Sequence, residues 1–188
     1  DLAKEYRPDL IDEEERLEKN NALVLAADTD AFFRILLERL EEDGLLDDTV
    51  IIAYTDHFAY GISDETLLAE CKGDTLSYCV PAFIYGKGIK AKKVDKPMMT
   101  IDWAPTIINL FDLSKEARYL GHDALGPKED AFVFFETGAW MDSAMHYIPS
   151  EGELAPDMEI YVQKQTQKMK ESLKINDIVI LGDYYKQK

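Results

Sequence analysis

The sequence predicts an α/β fold: a partial, mostly parallel sheet flanked by helices, with a small antiparallel hairpin and a helix at the C-terminal end. Three observations predict it. Helical and strand-like periodicities alternate along the 188 residues. The first strand-like run, "TVIIAY" at 49–54, is short, β-branched and apolar on both faces, which suits an interior strand of a parallel sheet. Late in the chain, "EDAFVFFETGAW" and "SAMHYI" follow one another across a Gly-containing turn, the pattern of a hairpin.

The elements follow in order. The first 20 residues are charge-rich and broken by Pro8, and read as a surface segment that leads into a helix. From about 22 to 42 apolar residues recur at helical spacing, with Leu25, Phe32, Phe33, Leu36, Leu37 and Leu40 mostly on one face. Gly44 fits the position just past that helix. After the first strand, "SDETLLAEC" reads as a short helix with Ser63 as a candidate N-cap. "SYCVPAFIYG" is a second strand, and Pro81, which has no N–H, belongs at its start or at a bulge. Gly86 and Gly88 mark a turn. "TIDWAPTIINLFDL" is a helix with Pro105 in its first turn and Ile107, Ile108, Leu110 and Phe111 as its apolar face. Trp140 and His146 read as hairpin packing with a polar tip. Residues from about 154 to 173 are polar and helix-permissive, and Tyr184 and Tyr185 are expected to dock the tail.

Composition narrows the function. Acidic residues outnumber basic ones 37 to 21, a formal charge of −16. Nucleic-acid binding through a basic face is excluded on that balance. Anionic ligands are repelled at long range, so phosphate chemistry needs a local cation. No run approaches the roughly 20 apolar residues of a membrane span. The start lacks both a signal-peptide pattern and an initiator Met, which suggests a processed or truncated chain. Cys71 and Cys79 are too few for a disulfide scaffold and lack CxxC spacing; two small, partly buried thiols are expected, with a single disulfide left open.

The chemistry concentrates at the end of the first strand, where Asp56 and His57 follow "TVIIAY". Open parallel α/β sheets bind ligands at the carboxyl ends of their strands. Asp supplies a hard anionic oxygen and neutral His a nitrogen, a pair that suits zinc, manganese or another first-row divalent ion better than calcium. Where the backbone leaves strand geometry, two adjacent side chains can reach one ion. The alternative is a turn or helix cap. His122 and His146 read as structural or exposed.

Five segments carry a resemblance: "LLDDTVIIAYTDHFAYGIS", "YCVPAFIYGKG", "TIDWAPTIINLFDL", "YLGHDALGPKEDAFVFFETGAWM" and "ILGDYY". In that order, from about Asp30 to Tyr185, they resemble segments of the lipoteichoic acid synthases. These are phosphoglycerol transferases of the sulfatase-like, alkaline-phosphatase-like superfamily. The resemblance implies that residues 1–188 form the C-terminal part of one larger catalytic domain. About 22–130 would be its α/β core portion, and about 131–188 the hairpin and terminal helix.

It further implies a divalent metal, usually Mn2+, with an activated Thr that attacks the phosphate of phosphatidylglycerol. The glycerophosphoryl unit then passes to a growing glycerol-phosphate polymer. Asp56 and His57 match the family's metal pair. Ser63 matches a Ser that contacts substrate, with two extra residues in the loop before it; the N-cap reading stands beside this one. Asp30, Asp102 and Pro105 fall on recurrent family positions, and Asp102 is expected to be mainly structural. The family's nucleophilic Thr, an acidic ligand and a substrate-binding His have no match here, since Thr29, Thr49 and Thr55 lie in other contexts. The resemblance therefore implies no catalytic residue within this sequence, an incomplete metal site, and inactivity of the isolated chain. It implies a parent anchored in the bacterial membrane, facing outward, with spans outside this sequence. An unpaired sheet edge invites a homodimer. Other readings are a sulfatase or phosphodiesterase of the same superfamily, and a non-catalytic cell-surface module.

Overall fold

The computed structural model describes residues 2–10, 18–57, 61–72, 80–114, 119–149 and 154–187. They fall into two compact units, Asp1–Ala91 and Lys92–Lys188. Cys79 and the start of the expected "SYCVPAFIYG" strand lie outside the described residues, as does the side chain of Cys71, so the thiol expectation is not addressed.

The first unit holds α1 (Leu2–Tyr6), α2 (Glu18–Glu42), β1 (Val50–Tyr54), α3 (Glu65–Lys72) and β2 (Ala82–Gly86). α2 ends as its sequence requires. Gly44 takes φ +69, and the amides of Gly44 and Leu45 return to the carbonyls of Glu41 and Leu40. Its buried stripe differs from the single face expected. Val24 and Ala31 are buried, whereas Phe33, Leu36, Leu37 and Leu40 are half-buried. At about 100° per residue, Phe33 lies about 180° round from Val24. Leu25 and Phe32 belong to neither face and stand exposed. The helix thus buries one side early and the other side late.

β1 and β2 pair antiparallel, Val50 opposite Gly86 and Tyr54 opposite Ala82. This corrects the parallel arrangement expected of the first strand. A run that is apolar on both faces reports two-sided burial and carries no information on strand direction. Direction is set by where the connection re-enters. Phe33 of α2 meets Phe83 of β2 edge-to-face, with ring centroids 5.3 Å apart. Pro81 stands just before β2, where its missing N–H costs no ladder bond.

The second unit holds α4 (Trp103–Leu110), β3 (Phe132–Phe134), β4 (Trp140–Asp142), β5 (His146–Tyr147) and α5 (Pro156–Leu181). The expected two-strand hairpin is a three-stranded antiparallel meander. Gly138, at φ +84, makes its turn inside the segment expected to be one strand, and so splits it into β3 and β4. A second turn is tied by Asp142, whose Oδ1 accepts the amides of Ala144 and Met145, each at 2.9 Å.

α5 runs unbroken through both C-terminal segments, starting on Pro156 at its first turn. It covers the meander. Phe132, Trp140, Val162 and Met169 form the core, with Trp140 at 0% exposure. The indole Nε1 donates to Thr166 Oγ1 at 3.0 Å, so the one polar atom of this ring is satisfied. α4 buries Trp103, Pro105 and Thr106, whereas Phe111, expected on its apolar face, is exposed. Tyr184 and Tyr185, in a short 3₁₀ turn after α5, pack edge-to-face on one another.

Candidate functional site

The backbone leaves strand geometry immediately after β1, at Thr55, and Asp56 and His57 occupy the bend that follows. Their side chains share one side of it: His57 Nε2 lies 3.4 Å from Asp56 Oδ1. Both are open to solvent, at 87% exposure for Asp56 and 53% for His57. The position matches the strand-end expectation, and the two donors lie close enough to share an ion. Oxygen plus imidazole nitrogen fits two positions of a first-row divalent ion. Among the described residues no group of three or more His, Cys, Asp and Glu could hold a metal. Asp56 and His57 are two such donors, and the described residues place no third beside them.

Ser63 lies six residues beyond His57, in the segment that enters α3. It is not the N-cap of that helix. Asp64 is: its Oδ1 accepts the amides of Thr66 at 2.9 Å and Leu67 at 3.1 Å. Ser63 is instead engaged by Glu18, from the start of α2. The Ser63 amide donates to Glu18 Oε2 at 2.8 Å and the Asp64 amide to the same oxygen at 2.7 Å. The Ser63 hydroxyl donates to Oε1. That hydroxyl first, and then the Asp64 amide, hold the Glu18 carboxyl below its usual range. Sequence reasoning missed Glu18. The partners are 45 residues apart, and no local pattern marks a glutamate at a helix start as a tertiary ligand.

In the second unit Asp102 plays the structural part expected of it. It is 4% exposed. Oδ2 accepts the Met99 amide at 2.8 Å and Oδ1 the His122 amide at 2.7 Å. The Asp102 carbonyl accepts Thr106 Oγ1 at 2.5 Å, and Thr106 Oγ1 in turn accepts the Ala124 amide at 2.8 Å. These bonds join the start of α4 to the loop that carries "GHDAL". Gly121 is required there, because a Cβ would lie 2.2 Å from the Ile101 carbonyl oxygen. Lys96 is buried and donates to the Asp123 carbonyl.

His122 is half-buried, and burial first, then the charges of Lys168 and Lys96, hold its imidazole below the usual value against the pull of Asp102 and Asp130. His146 pairs with Met141 in the meander. Both histidines are half-buried. Asp30 stands exposed on α2.

The comparisons with known proteins bear on this arrangement. The sulfatase family model matches residues 4–113. Over 159 residues the chain is 27% identical to lipoteichoic acid synthase 2 of Bacillus subtilis (strain 168), which covers 77% of this chain and 24% of that protein. The crystal structure of the lipoteichoic acid synthase LtaP from Listeria monocytogenes is similar with a TM-score of 0.70 and 20% identity, over 89% of this chain and 47% of that one. This chain thus spans about a quarter of the curated relative and under half of the solved chain. The structural likeness, at that identity, shows a shared sulfatase-like α/β fold.

Proposed function

Since this chain belongs to the sulfatase family, we propose that it is the C-terminal part of the catalytic domain of a metal-dependent phosphoglycerol transferase. The parent enzyme draws on phosphatidylglycerol and extends a glycerol-phosphate polymer. The observation that carries the reading is the Asp56–His57 pair, set together at the end of β1 within a segment resembling the lipoteichoic acid synthases.

In this reading Asp56 and His57 hold a divalent ion, Mn2+, with the remaining ligands and the nucleophilic Thr coming from outside these 188 residues. When bound, the ion supplies a Lewis-acid centre that neutralises phosphate charge. The chain's own contribution is positional. Asp56 offers an anionic oxygen and His57 a ring nitrogen, and the bend after β1 aims both outward. Ser63 would offer a phosphate oxygen the hydroxyl and amide that Glu18 now accepts. A local cation also offsets the −16 background that would otherwise repel the lipid headgroup. The parent is membrane-anchored and acts on the outer face; among the described residues no helix is long and apolar enough to cross a membrane.

Two measurements test this. Incubation of the full-length parent with phosphatidylglycerol and Mn2+ should release diacylglycerol and lengthen a glycerol-phosphate polymer. Release of sulfate from a sulfate ester, without diacylglycerol, would instead establish a sulfatase. Calorimetric titration of the 188-residue chain with MnCl2 should show weak binding or none. Tight binding would overturn the view that two ligands here form an incomplete set.

A further inference from the structure

We propose that the Glu18 carboxylate is an internal stand-in for an anionic ligand, so that α2 latches the oxyanion position at Ser63. The inference rests on the reading of Ser63 as a phosphate-contacting residue, and concerns how access to it is controlled.

Three donors from two consecutive residues converge on one carboxylate. Oε2 takes both amides, at 2.8 Å from Ser63 and 2.7 Å from Asp64, and Oε1 takes the Ser63 hydroxyl. Two adjacent amides and a hydroxyl presented to two oxygens of one anion is the arrangement that also receives two oxygens of a phosphate group. The carboxylate is not needed to cap α3, since Asp64 Oδ1 already accepts the amides of Thr66 and Leu67. Nor do buried donors require it, because Ser63 and Asp64 are exposed and water could satisfy them. The contact is therefore a specific tertiary one, made by a side chain 45 residues away. All three donors already serve Glu18, so a phosphate that takes the same donors must displace it. Apparent affinity is then the intrinsic affinity reduced by the fraction of molecules in which Glu18 has swung away.

The test is an NMR titration of the 188-residue chain with inorganic phosphate, following the Ser63 and Asp64 amides. It uses the wild type, Glu18→Ala, Glu18→Gln and Ser63→Ala. A latch closed about nine-tenths of the time lowers apparent affinity about tenfold. Glu18→Ala should therefore half-saturate at about one-tenth of the wild-type phosphate concentration, with Glu18→Gln shifted in the same direction. Equal half-saturation in the wild type and both Glu18 variants, with binding lost in Ser63→Ala, overturns the latch and leaves the Ser63 subsite standing. No phosphate-dependent shift at either amide in any protein overturns the subsite and the latch with it. The wild type gives a check that needs no variant. Its Glu18 carboxyl carbon should shift in step with the two amides, and amide saturation with an unmoved Glu18 carboxyl overturns the proposal.

Discussion

Removing the Asp102 carboxylate should loosen the join between the start of α4 and the "GHDAL" loop. Asp102 is 4% exposed and its two oxygens serve different segments, Met99 at 2.8 Å and His122 at 2.7 Å. A hydrogen bond to an ionised acceptor contributes about 1.5–3 kcal/mol. Asp102→Asn keeps one acceptor oxygen and turns an NH2 toward the other amide, so it loses one bond, about 1.5–3 kcal/mol. Asp102→Ala loses both, about 3–6 kcal/mol, a large share of a typical stability of about 5–15 kcal/mol.

Urea unfolding followed by circular dichroism gives the global change. Native-state hydrogen exchange at the Met99 and His122 amides reads the join itself. Protection at His122 should fall in both variants, and further in Asp102→Ala. A loss under about 1 kcal/mol in Asp102→Ala, with unchanged His122 protection, would refute the assignment.

Other predictions follow from the same unit. Gly121→Ala places a Cβ 2.2 Å from the Ile101 carbonyl oxygen and 2.8 Å from the Asp102 amide nitrogen, both backbone atoms that cannot swing away. Its cost should reach or exceed the roughly 3 kcal/mol upper end of ordinary overpacking, read as a lowered urea midpoint. Trp140→Ala empties the centre of the α5–meander core and strands the Thr166 hydroxyl, and should cost about 3–5 kcal/mol, with Trp140→Phe costing less. The Tyr161 hydroxyl donates to Asp142 Oδ2 at 2.6 Å, and this bond is the main reason its phenol ionises above the usual 10.0. The folded state holds that proton more tightly than the unfolded state. Its contribution to stability is therefore fully present below pH 10.0 and is lost as pH rises through the raised folded value. Ultraviolet titration should show late-ionising phenols, Tyr161 and Tyr6 among them, and Asp142→Asn should move only the Tyr161 share earlier.

Local signals carried much of the fold. Gly44 and Gly138 mark chain reversals that need φ above zero, and Pro81 and Pro156 sit where a missing N–H is harmless. One of the misreadings depended on a partner distant in sequence, and two were local. The two-faced apolar run of β1 carried no direction, so its antiparallel pairing with β2 could not be read from it. The sequence reading keeps Gly138 inside one strand, although glycine disfavours a strand interior; the β3–β4 ladder shows that the chain reverses there. α2 looked like a one-faced helix because its apolar residues were counted together, although its two halves bury opposite faces.

The sequence by itself determined that Asp56 and His57 stand together at a strand end. Adjacency in the chain and an apolar strand before them are local facts, and local facts survive folding. It also determined the chain's kinship, since the order of motifs along a chain does not depend on conformation. Only the tertiary structure decided what Ser63 does. Its amide and hydroxyl meet Glu18 across 45 residues, and the cap falls to Asp64. The physical reason is that a hydrogen bond is short and directional. Which of 37 acidic side chains meets a given donor is set by where the folded backbone places it.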